Sequence, residues 1–145
     1  MFTIKTPTTH DDFKAYYALR YKVLSEPWGF PKGTEKDDYE PISEHFMAVN
    51  DKNEVVGVAK VYKKDDCAGH ISHLAVDPEY QHKGVGRLLL ETVEEHARAH
   101  GFCTLGTMAR ATATVYFEKF GFRIVGMSTP HLGMTHLVWM EKELD

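Results

Sequence analysis

The sequence predicts a mixed α/β sheet with helices on its faces. Three observations lead there. Short apolar, β-branched runs alternate with longer runs of helical period; they fall in the order β, α, β, β, β, α, β, α, β, β; and no internal repeat or low-complexity tract interrupts them. A chain of 145 residues suits one domain, 1–145, with a substantial core. Hydrophobic residues are 43% and charged ones 26%, the balance of a folded globular protein. A net charge of −4 argues against nucleic acid as the main partner, because phosphate binding favours a basic face. No apolar run reaches the ~20 residues that span a bilayer, and Met1 to His10 lacks a basic-then-apolar leader pattern, so the expectation is no membrane and a cytoplasmic location. For such a compartment Cys67 and Cys103 are expected as free thiols.

Met1 to Thr6 places Phe2 and Ile4 on one side and reads as a short first strand. Thr9, Asp11 or Asp12 suits the cap of a helix in which Phe13, Tyr16, Tyr17, Leu19, Arg20, Val23 and Leu24 cluster at helical spacing, ending near Pro27. From Ser25 to Ser43 no periodicity holds. A proline-, glycine- and acid-rich stretch of this length reads as a binding loop, in which Trp28 and Phe30 either plug the core edge or wall a pocket. Its acids, from Glu35 to Glu44, either draw in a cationic amine or form a solvated face. Phe46–Val49 and Val55–Tyr62, joined by Asn50 to Asn53, make a hairpin, and a strand follows from Ala68 to Val76. Beyond residue 101, Phe102–Thr107 reads as a strand, Arg110–Phe120 as a helix stopped by Gly121, and Phe122–Val125 and His136–Met140 as two last strands.

The chain is organised around residues 74–101. Leu74 and Val76 end a buried strand, which Asp77-Pro78 stops. Gln81 to Gly86 is a hinge whose glycines let the backbone turn sharply and lie close to a bound group. Val85, Leu89, Val93 and Ala97 then recur on one helical face, and Gly101 caps the end. A strand that feeds through glycines into a helix N-terminus makes an anion site, because the first-turn N–H groups are unpaired and carry partial positive charge. The loop has neither the triphosphatase nor the dinucleotide pattern.

What it has is Q-x-x-G-x-G, Gln81 through Gly86, after L-x-V-x-P. This resembles the acetyl-CoA-binding signature of the GCN5-related N-acetyltransferases. A second segment, Y-F-E-K-F-G-F at 116–122, resembles the end of that family's last helix. The resemblance implies the acyl-CoA N-acyltransferase fold: a strongly bent central sheet whose fourth and fifth strands splay around the pantetheine arm. It implies that the backbone of Leu74, Ala75 and Val76 pairs with that arm, and that N–H groups of Gln81, His82, Lys83, Gly84, Val85, Gly86 and Arg87 hold the pyrophosphate. Thr112 stands where many relatives carry a coenzyme-contacting asparagine. Phe117 stands where they carry the tyrosine that protonates the departing thiolate.

Acetyl transfer from a thioester needs a neutral amine, yet a lysine-like amine of pKa ~10.4 is mostly protonated at pH 7. A proton acceptor is therefore required. His70 stands where the family's strand-borne acid serves as base, and an imidazole of free pKa ~6.5 suits that task. Strand alternation puts His70, Ser72, Leu74 and Val76 on one face and His73 on the other. The backbone N–H of Leu74, freed by the splay, is the expected oxyanion donor. The acceptor is an amine on a small molecule or a protein, held by the 25–43 loop and the segment 127–135. Among the nine histidines, neither His70/His73 nor His96/His100 has the setting of a metal site, so none is expected. The competing reading is a coenzyme A sensor that has lost turnover, motivated by Phe117. Val138 and Met140, if on an exposed edge strand, suit a homodimer.

Overall fold

The computed structural model describes residues 1–127 and 137–144. Its centre is a seven-stranded sheet in the order β1-β2-β3-β4-β5-β7-β6, built from β1 (Thr3–Lys5), β2 (Glu44–Val49), β3 (Val55–Lys63), β4 (Ala68–Val76), β5 (Thr104–Arg110), β6 (Arg123–Met127) and β7 (Leu137–Glu143). All neighbours are antiparallel except β4 and β5, which run parallel because a helix carries the chain between them.

Helix α1 (His10–Leu24) starts where expected. Thr9 accepts from the Asp12 amide and the Asp12 carboxylate takes the Thr9 amide, a reciprocal cap. Its Tyr16 and Leu19 pack on Met47, Val49, Val58 and Ala75, on one face of the sheet. Helix α2 (Val85–Ala99) covers the other face with Val85, Leu89, Leu90, Val93 and Ala97. Burying each such Leu or Val stabilises the fold by about 1.5–3 kcal/mol. Gly101, at φ 76°, follows the helix end. The helix expected over 110–120 is shorter: β5 runs to Arg110, a 3-10 turn covers Ala111–Ala113, and α3 (Thr114–Glu118) is little more than one turn.

Two expectations are corrected. Cys67 and Cys103 form a disulfide instead of standing as free thiols; parallel pairing of Ala68 with Thr104 brings the two strand starts together, with Cα atoms 5.1 Å apart. Val138 and Met140 are no exposed edge. β7 lies between β5 and β6, and both side chains are buried in the core. The apolar surface invoked for a dimer is already used in folding. The strand expected from His136 starts at Leu137, and most of the 127–135 segment lies outside the described residues.

Candidate functional site

The site begins where the sheet divides. β4 pairs with β5 only from Ala68↔Thr104 to Ile71↔Thr107. Past that point β4 stays with β3 and β5 stays with β7. Ser72 to Val76 therefore has no strand beside it on the β5 side, and a strand edge there is open to an extended ligand.

β4 then runs into the anion-binding turn. The Asp77 carboxylate caps the 3-10 turn Pro78–Tyr80 by accepting from the Glu79 amide, and the Asp77 N–H donates to Val56 O at 2.9 Å. Gln81, His82, Lys83 and Gly84 are exposed. His82 and Gly84 both take left-handed backbone, φ 63° and 86°, a pattern that turns successive N–H groups to one side. Val85 is buried, no side chain caps α2, and its first turn holds no acid. The helix thus presents its positive end uncompensated. Arg87 is exposed beside it. A Cβ on Gly86 would meet the Tyr116 hydroxyl oxygen at 2.3 Å, so glycine is what permits that ring to reach the turn. Phe117 instead lies in the core against Phe122, and Thr112 is exposed in the turn after β5. The hydroxyl that faces the phosphate loop belongs to Tyr116, one residue away from the position the resemblance singled out.

The facing of β4 differs from the expectation. Against the single residue Ala59 of β3, β4 sets two, His73 and Leu74, and His73 takes φ 54°. This bulge shifts the alternation by one. Leu74 and Val76 consequently join Ile71 in the α2-side core. His70 and His73 fall among the same charges, Lys60 and Asp37.

Around them lies a polar cluster that no local spacing announces. Arg20, fully buried on α1, donates to Glu35 O, Glu40 Oε1 and the Tyr16 hydroxyl at 2.8–3.1 Å. Lys60, fully buried on β3, pairs with Asp37 and with Glu40 Oε2. Burial alone would raise the Glu40 pKa, but the Asp37 amide, Arg20 and Lys60 bring it down to about 2. Three of the loop acids are therefore engaged within the fold, Asp37 and Glu40 answering buried cations and Glu35 accepting from the Gly33 amide, while Asp38 is exposed. Asp37, Glu40 and His73 offer ligand atoms within 4.8 Å of one another, yet the Lys60 ammonium already touches both carboxylates there.

His70 Nδ1 lies 2.6 Å from the Tyr62 hydroxyl. Tyr62 stacks on Tyr39 at 4.4 Å, and the His70 ring stands edge-on to Trp139 at 5.0 Å. Burial first, then the charges of Lys64 and Lys60, push the His70 pKa down to about 4. His73 is lowered to about 4 by burial, Arg20 and Lys60. Both imidazoles are neutral at pH 7. Trp28, half exposed, fills no core position; the Arg110 guanidinium lies 4.8 Å over its ring.

A sheet forked between its fourth and fifth strands, with an uncapped phosphate turn at the end of one prong, defines the acyl-CoA N-acyltransferase class of fold. Two solved structures share it over nearly the full chain: an acyl-CoA N-acyltransferase from Pseudomonas aeruginosa (TM-score 0.82, 19% identity, 98% of each chain) and a GNAT family acetyltransferase from Elizabethkingia anophelis with acetyl-CoA bound (TM-score 0.80, 23% identity, 99% and 98%). The acetyltransferase (GNAT) family model matches residues 10–122, and the chain belongs to that family. Among curated relatives, an amino-acid acetyltransferase of Pseudomonas fluorescens is 40% identical over 80 residues, 54% of this chain. The match spans only 18% of that relative's length.

Proposed function

We propose that the protein transfers an acetyl group from acetyl-CoA to a primary amine by direct attack in a ternary complex. The observation that carries this reading is the fork itself: β4 parts from β5 after Ile71, leads straight to an uncapped helix turn, and holds a neutral imidazole at the last paired residues. In this reading the amides of Gln81 to Arg87 hold the diphosphate, and Leu74 to Val76 pair with the pantetheine arm. The carbonyl of the thioester lies beside Leu74, whose N–H receives the oxyanion.

His70 takes the proton of the attacking amine, directly or through a water. With Nδ1–H donating to the Tyr62 oxygen, Nε2 keeps its lone pair for that proton. The amine nitrogen bonds to the acetyl carbon, the C–S bond breaks, and the thiolate leaves. A thiol of pKa near 8.5 is a fair leaving group, and the Tyr116 hydroxyl, beside Gly86, stands at the diphosphate end of the coenzyme. No metal takes part in this reading, and a cytoplasmic location is part of it.

The second reading, a coenzyme A-binding sensor, is favoured by the absence of a hydroxyl at Phe117. Following thiol release from acetyl-CoA with a panel of amines separates the two. Amine-dependent release is expected; no release with any amine across pH 6–9 leaves only the sensor.

A further inference from the structure

The surroundings of His70 carry a charge pattern that narrows the acceptor. Lys64 leaves β3 in a turn pinned at both ends: its amide donates to Ala68 O at 2.8 Å, Asp65 Oδ1 accepts from the Cys67 and Ala68 amides, and the Cys67–Cys103 link ties the turn to β5. From there its ammonium lies 4.3 Å over the Trp139 ring, the indole that His70 meets edge-on at 5.0 Å. Among the described residues Lys64 forms no ion pair. Of the carboxylates around this corner, Asp37 pairs with Lys60, Glu141 accepts from the Trp139 indole N–H at 2.8 Å, and Asp65 accepts through Oδ1 from two amides of the turn.

Beside Trp139, a second ammonium on the acceptor would meet the Lys64 cation, which no carboxylate of the described residues pairs. An anion would meet an exposed ammonium positioned over the Trp139 ring, and the same positive field favours the neutral form of the attacking amine. We infer that the acceptor is an amine bearing a carboxylate a few bonds away, with the carboxylate held by Lys64 across the Trp139 face while the amine lies at His70. This rests on the transfer reading above, and it selects amino-carboxylates over polyamines.

The test compares L-phenylalanine, L-methionine and L-glutamate with their α-carboxamides, and with spermidine, in wild-type, Lys64→Gln, Lys64→Arg and Arg110→Gln proteins. Wild type is expected to favour at least one free acid over its amide by 10-fold or more in kcat/KM. Lys64→Gln should erase the preference through KM with kcat nearly unchanged; Lys64→Arg should keep most of it. A wild type indifferent to the carboxylate, a preference that survives Lys64→Gln, or one lost in Arg110→Gln instead, overturns the inference. If no amine releases thiol, the transfer reading fails by itself. Tryptophan fluorescence then decides: a saturable change with the acids, absent with the amides and in Lys64→Gln, upholds the anion site, and no change with any acid removes it.

Discussion

The two prongs of the site are built by different means. On the side we propose for the coenzyme, Leu74 to Arg87 would supply main-chain groups from one continuous stretch, and the side chains matter chiefly for being small or out of the way. On the side we propose for the acceptor, Arg20, Asp37, Glu40, Lys60, Tyr62, His70 and His73 come from α1, the long loop, β3 and β4, and the contacts are mainly between side chains. A backbone site depends on local conformation and tolerates changes of side chain except where a glycine is needed. A side-chain site depends on each partner, because removing one leaves a buried charge unanswered.

Substitutions on each prong should break that contrast in different ways. His70→Gln removes the proton acceptor, and kcat should fall by ~10²–10⁴, with the affinity for acetyl-CoA unchanged in a direct binding titration. Lys60→Met leaves Asp37 and Glu40 without their shared cation and should destabilise the protein by about 3–5 kcal/mol, read as a lower urea midpoint. Gly86→Glu brings a carboxylate to the positive helix end and displaces Tyr116. Coenzyme affinity should drop ~100-fold, about 2.7 kcal/mol, while the urea midpoint moves far less than in Lys60→Met. Tyr116→Phe should cost less, roughly 3–10-fold in kcat/KM for acetyl-CoA, the scale of one hydrogen bond; the same loss from Phe117→Leu would put the coenzyme contact back at Phe117.

Acid acts on the side-chain prong. His70 and His73 titrate near 4 in the folded chain, below the ordinary value of 6.5. The unfolded chain binds their protons first, so their contribution to stability is complete above pH 6.5 and is lost as the pH falls toward 4. Thermal melts between pH 7 and 4 should show this decline, and His73→Asn should flatten part of it.

The same contrast explains what could be read from the chain alone. The strand, turn and helix from Leu74 to Ala99 were legible because their signal is local: a strand end, glycines at fixed spacing and an amphipathic run that begins at Val85. Element order was legible for the same reason. The facing of His73 was not, because a bulge is set by how β4 meets Ala59 of β3, and the extra residue leaves no mark on the apolar pattern. Nothing in the pattern marked Lys60, and Arg20 fell among the apolar residues at helical spacing without a visible partner. Their burial depends on Asp37 and Glu40, from a loop without period. The Cys67–Cys103 link became visible only once the parallel register placed both at strand starts.

The central claim is that main-chain amides of 81–87 receive the coenzyme's diphosphate while Leu74 to Val76 receive its arm. Amide resonances followed during titration with acetyl-CoA test it directly. The largest shifts are expected at Gln81 to Arg87, with a second group at Leu74 to Val76 and only small changes along α1. Saturable binding that leaves the 81–87 amides unmoved would contradict the account.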